Sequence, residues 1–109
     1  MSVSIELFRK LALSLPEITE EPHFEKTSFR VTKKIVATVN VAENTATIKL
    51  NEIEQNVYCS NPKYLSPVPN KWGKQGWTII HLNTISEEMC REALQSSYNQ
   101  VAPKRLKNK

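Results

Sequence analysis

The chain has 109 residues, a net charge of +4 and an apolar content of 39%. That is enough for one hydrophobic core without staples, and it argues against disorder outside the ends. No apolar run approaches the roughly 18 residues a membrane span needs, and Cys59 and Cys90 lack any CxxC spacing, so buried free thiols in a reducing cytosol are expected.

Ile5, Phe8, Leu11, Ala12 and Leu15 recur at helical spacing, with Ser2 or Ser4 to cap the start and Pro16 to end the helix. The amino end thus runs into an amphipathic pattern carrying Glu6, Arg9 and Lys10. That is no secretory signal, and a cytoplasmic location is expected. Glu17 to Pro22 reads as a polar, acidic connector. Thr27 to Val31 reads as a strand, Lys33-Lys34 as a turn, Ile35 to Val41 as a strand, Glu43-Asn44 as a turn and Thr45 to Leu50 as a third, alternating strand. An antiparallel meander follows from such short connections. Glu52 to Cys59 reads as a short helix capped by Asn51, with Ile53 and Val57 one turn apart. Pro62, Pro67 and Pro69 make Asn61 to Asn70 an extended loop. Trp77 to Leu82 is the last strand. Thr84 and Glu87 fit a capping box that opens a helix to about Gln100, followed by Pro103 and a basic tail. The order of elements predicts a single α+β domain over 1–109, with an antiparallel β-sheet and the N- and C-terminal helices packed on one face as a two-layer sandwich.

Both tryptophans and both glycines fall within Trp72-Gly73-Lys74-Gln75-Gly76-Trp77. Glycines placed there imply positive φ or a close backbone approach. Residues 62–109 carry eight Lys/Arg against three Glu, whereas residues 1–61 carry seven against eight, and no acid lies between Gln55 and Ser86. A basic half favours an anionic partner, although many small cytosolic domains share such a pI and bind no polyanion. With no Asp in the chain a Ser/His/Asp set is ruled out, and no GxGxxG or P-loop pattern occurs. Neither histidine has zinc-site spacing: His23 sits among Glu20, Glu21 and Glu25, and His81 lies within a strand, pointing away from the face of Ile80 and Leu82. No catalytic site, metal or cofactor is therefore expected.

Leu15-Pro16-Glu17, Glu20-Glu21-Pro22-His23-Phe24, Lys26-Thr27-Ser28-Phe29-Arg30-Val31, the Trp72 to Trp77 block and Val101-Ala102-Pro103-Lys104-Arg105-Leu106 together resemble the MmcQ/YjbR family over nearly the whole chain. The resemblance implies a small cytosolic bacterial protein with a CyaY-like α+β fold that binds DNA through a double-wing arrangement of β-hairpins. The fold analogy with frataxin-type proteins also suggests iron. Such sites use acidic surfaces, however, and here only Glu6, Glu17, Glu20 and Glu21 are on offer.

For DNA, two basic turns are the candidate wing tips. One is Thr32, Lys33 and Lys34 flanked by Lys26 and Arg30; the other is Lys71 to Gln75, including Trp72 and Lys74. Both would set ammonium groups on phosphates, with Lys104, Arg105 and Lys107 extending the contact. Gln75 and Asn70 are the nearby side chains suited to base edges. The bland alternative for Lys33-Lys34 is a solvated hairpin turn. Trp77 is read as core; Trp72, with Tyr64, would be the stacking platform for a single strand. Two other functions fit the same residues: a non-enzymatic protein–protein adaptor using the sheet face or the Asn61 to Asn70 loop, or a binder of a small anionic metabolite held by Lys71, Lys74 and Arg30.

Overall fold

Alternation along the strands builds the core. The computed structural model describes residues 2–23 and 26–106, with the His23 side chain not among them; Phe24, Glu25 and the tail residue Lys107 also lie outside the described residues. Six antiparallel strands form one sheet: β1 (Thr19–His23), β2 (Lys26–Val31), β3 (Lys34–Asn40), β4 (Thr45–Lys49), β5 (Leu65–Pro67) and β6 (Trp77–His81), in the order β1-β2-β3-β4-β6-β5. Register sets buried side chains in rows across the sheet. Val39, Ala46, Ile80 and Leu65 form one row, and Phe29, Ala37, Ile48 and Thr78 the next. The residues between them, including Thr38, Thr47, Lys49, Trp77, Ile79 and His81, point to the other face and stay half-buried. Trp77 is therefore a flank of the sheet and not part of its core.

Helices α1 (Ile5–Leu13) and α4 (Glu87–Val101) cover the buried face. Phe8 and Ala12 of α1, and Cys90, Ala93, Leu94, Ser97 and Tyr98 of α4, are fully buried; Phe8 meets Phe29 edge-on with ring centroids 6.1 Å apart. The two helices run side by side in the same direction. At their starts the Val3 N–H donates to Leu82 O at 2.8 Å, and at their far ends the Tyr98 hydroxyl donates to Pro16 O at 2.8 Å. The cap of α1 is Ser4, which accepts from the Leu7 N–H at 3.0 Å.

A β-bulge lies between β2 and β3: Phe29 pairs with Ala37 but Arg30 pairs with Ile35, so Val36 is the extra residue. Its carbonyl accepts from the buried Ser97 hydroxyl at 2.8 Å, and Ser97 Oγ in turn accepts from the Lys49 N–H at 3.0 Å. One helical serine thus satisfies backbone groups of two strands.

Several elements differ from the sequence reading. The acidic connector contains β1, an edge strand paired along its length with β2. The proline-rich loop contains the three-residue β5, with Pro67 at its last position on the outer edge, where a missing N–H costs no ladder bond. Lys71–Lys74 is not a tight hairpin turn but one helical turn, α3, set in the β5–β6 connection. The cap of α4 is Ser86, accepting from the Met89 N–H at 3.2 Å; the Thr84 hydroxyl instead donates to the carbonyls of Lys63 and His81. Helix α2 (Glu52–Tyr58) turns its apolar pair outward, with Ile53 75% and Val57 65% exposed. Its inward contacts are the half-buried Tyr58, packed on the core, and Gln55, whose amide donates to Gly73 O at 2.8 Å and to Thr78 Oγ1 at 3.1 Å.

Candidate nucleic-acid interface

Strand direction determines which basic residues meet. β2 and β4 rise toward the end of the sheet from which β3 and β6 descend. The β2–β3 turn, the last residue of β4 and the β5–β6 connection therefore share that end. This collects Lys33, Lys34, Lys49, Lys71 and Lys74 from three separate stretches of sequence. Lys26 begins β2 and is left at the opposite end, roughly 17 Å from Val31 along the strand.

The first element is a two-residue hairpin in which Thr32 and Lys33 have φ of 47° and 72°. Positive φ at both central positions is the type I′ pattern, whose twist matches the flanking strands. Lys33 and Lys34 are exposed on it. Arg30, half-buried on β2, donates from Nε to Ser28 Oγ at 2.9 Å.

The second element, residues 68–76, is fixed by its glycines. A Cβ on Gly73 would stand 2.0 Å from Val68 O, and one on Gly76 would stand 2.1 Å from Leu50 O, with Gly76 also at φ +105°. The close approach expected at these glycines is made by the chain's own backbone. Asn70 adopts φ 83° and ψ −165°, a region that glycine occupies freely and other residues hold under strain, while its Oδ1 accepts from the Trp72 N–H at 2.9 Å. That oxygen is thus occupied, although Asn70, like Gln75, is exposed. Trp72 is 50% exposed, and the Lys71 ammonium lies 5.9 Å from its ring centroid; Lys49 stands 5.4 Å from that of Trp77.

The salt bridges among the described residues draw on arginine alone: Arg9 with Glu20 and Glu6, Arg91 with Glu87, and Arg105 with Glu17. Arg105 is forked onto the Glu17 carboxylate at 2.9 and 3.1 Å. That bond holds the Glu17 carboxyl below its ordinary range and raises Arg105. Arg105 is therefore a structural partner, not the open phosphate contact expected from the tail, whereas Lys104 is exposed beside it. The carboxylates nearest the lysine end in sequence are Glu52 and Glu54, in the first turn of α2.

Other chemistry-bearing groups do not converge. Among the described residues no three of His, Cys, Asp and Glu approach closely enough to hold a metal. His81 Nε2 and Ser66 Oγ lie 2.8 Å apart on the sheet face, but among the described residues no carboxylate orients the other ring nitrogen, as a nucleophile–base pair would need. Burial pushes the Cys90 thiol up to about 12, with the Glu87 charge adding to the effect, and burial also raises half-buried Cys59. Among the described residues no helix is long and apolar enough to cross a membrane.

A family model described as YjbR matches residues 13–100. The chain belongs to the YjbR family. The match leaves out most of α1 and the Val101 to Leu106 block. Among solved structures, this YjbR-family chain is similar to Deinococcus radiodurans protein DR2400, which carries a DUF419 domain. The identity is 18% with a TM-score of 0.78, over 91% of this chain and 78% of that one, a likeness of fold. No curated protein matches the sequence.

Proposed function

We propose that this chain is a non-enzymatic DNA-binding protein that grips backbone phosphates with the lysine end of its sheet. The observation carrying the reading is that Lys33, Lys34, Lys71 and Lys74, remote in sequence, are exposed together there and form no salt bridge with described residues. β3 and β6 are separated only by β4, so the two elements stand roughly 10 Å apart. That is the scale of a duplex groove, about 12 Å across for the major groove. Ammonium groups on flexible stems suit phosphates whose positions vary. Gln75 and Asn70 are the exposed amides of the loop and the Asn70 Oδ1 is held by the Trp72 N–H, so binding is expected to depend little on base sequence.

Fluorescence anisotropy with labelled duplex DNA over a series of salt concentrations tests this. Binding should be micromolar at low salt and fall linearly in log–log coordinates. Lys33→Glu/Lys34→Glu and Lys71→Glu/Lys74→Glu should each weaken it by about tenfold or more and flatten the salt slope. Arg9→Gln and Arg91→Gln should leave it nearly unchanged. Absence of binding at low salt, or equal binding by all variants, would sink the reading.

A further inference from the structure

Away from the lysine end, the parallel helices α1 and α4 leave a cavity of about 840 Å³ between them and the chain's last described turn, within the ~300–1,000 Å³ typical of small-molecule sites. Its two ends differ in chemistry. Lys10, in the last turn of α1, and Arg91 of α4 line one end, and no carboxylate lines it among the described residues. Leu11 and Leu94 line its middle, and Leu15 and Leu106 line the far end, where the Tyr98–Pro16 hydrogen bond ties α4 to the end of α1. From Arg91 to Tyr98 the wall is seven residues of helix, roughly 10 Å. Arg91 gives one N–H to Glu87 at 2.6 Å, and its remaining donors are uncommitted among the described residues. Lys10 forms no salt bridge among the described residues.

From this polarity we infer that the α1/α4 groove binds an amphipathic carboxylate, a medium-chain fatty acid, with its head between Lys10 and Arg91 and its chain along Leu11, Leu94, Leu15 and Leu106. A neutral apolar ligand would leave Lys10 and the remaining donors of Arg91 unused, and a small hydrophilic anion would leave the leucine floor wet. An amphiphile with one negative end matches both halves at once. The site is separate from the lysine end of the sheet, so it does not depend on DNA binding.

Calorimetric titration of the full chain with sodium decanoate, kept below the concentration at which it forms micelles, tests the inference. One saturable site is expected. Each methylene removed from the probe should weaken binding about fourfold, and decyltrimethylammonium, with the same chain and opposite charge, should bind at least about tenfold more weakly. Lys10→Glu, an exposed change that leaves the core intact, should weaken decanoate binding about tenfold; Lys33→Glu/Lys71→Glu should leave it unaltered. The inference is overturned if no saturable heat appears or if the cationic amphiphile binds equally. It is also overturned if Lys10→Glu has no effect, or if the Lys33/Lys71 variant abolishes binding.

Discussion

The helical side of the molecule and the far end of its sheet use positive charge in opposite ways. On the helical side Arg9, Arg91 and Arg105 each hold a glutamate, and Arg9 and Arg105 do so through two short hydrogen bonds. At the sheet end the lysines project from a primed turn and a glycine-bound loop without such partners among the described residues. The guanidinium fork matches a carboxylate at fixed geometry, while an ammonium on a four-carbon stem is a movable point charge. A guanidinium held by a carboxylate through two hydrogen bonds, as in Arg9 and Arg105, gains little from a phosphate. The division therefore separates charge that fastens the fold from charge left for an outside anion.

Three substitutions sharpen that contrast or break it. The largest effect should come from Gly76→Ala, which sets a methyl 2.1 Å from Leu50 O at φ +105°. A loss of about 3 kcal/mol in urea unfolding is expected. A loss under about 1 kcal/mol would mean that the lysine loop is not held by this contact. Asn70→Gly should act the other way. It gives up a cap that glycine replaces at a cost of only a few tenths of a kcal/mol and releases a strained backbone, for a net gain of about 1 kcal/mol in the same assay. Destabilisation instead would show that the cap outweighs the strain.

The smallest effect should be seen in Glu17→Gln. Because Arg105 lowers the folded-state pKa of Glu17, the ionised carboxylate adds stability above its ordinary titration range. That contribution is lost as pH falls through the depressed value. A small deficit in Tm is expected for the variant near neutrality, narrowing toward acid and with added salt. A deficit that grows in acid would contradict the pairing.

Much of the architecture could be read from the chain. The strands β2, β3, β4 and β6 follow from period-two alternation, and α1, α2 and α4 from helical spacing with good caps. What escaped was marginal by its own chemistry. β1 contains two glutamates and a proline, poor strand formers by intrinsic preference, and exists because β2 offers a complete edge. β5 is three residues ending in proline, and α3 is one turn whose glycine lowers helix propensity. In α4 both Thr84 and Ser86 could cap, and only the fold commits Thr84 to the carbonyls of Lys63 and His81.

The candidate site was less legible, because grouping depends on topology. Lys33, Lys34, Lys71, Lys74, Trp72 and Gln75 were named from sequence, yet nothing local says that their two turns share an end of the sheet. Lys26 was grouped with them by sequence proximity, and strand direction separates it. Lys49 was missed. The available signal was its place as the last polar residue of an alternating strand. The pairing of Arg105 with Glu17 spans 88 positions in sequence, beyond any reading of local charge.

Helix α2 carries a consequence of its own. It has no buried residue, and the Gln55 amide reaches across to the carbonyl of Gly73 and the hydroxyl of Thr78. Beyond the half-buried Tyr58 in its last turn, which packs on the core and whose hydroxyl lies 3.3 Å from Ser96 Oγ, little apolar area of the helix resists its release. Helix α2 and the lysine loop should therefore open and close together as one low-stability unit, well below the free energy of global unfolding. The sheet's register would persist while that unit is open. Ligand capture at the lysine loop would then bear on the exchange of α2 amides as well, since an anion that steadies the loop would also hold the acceptor to which α2 is latched.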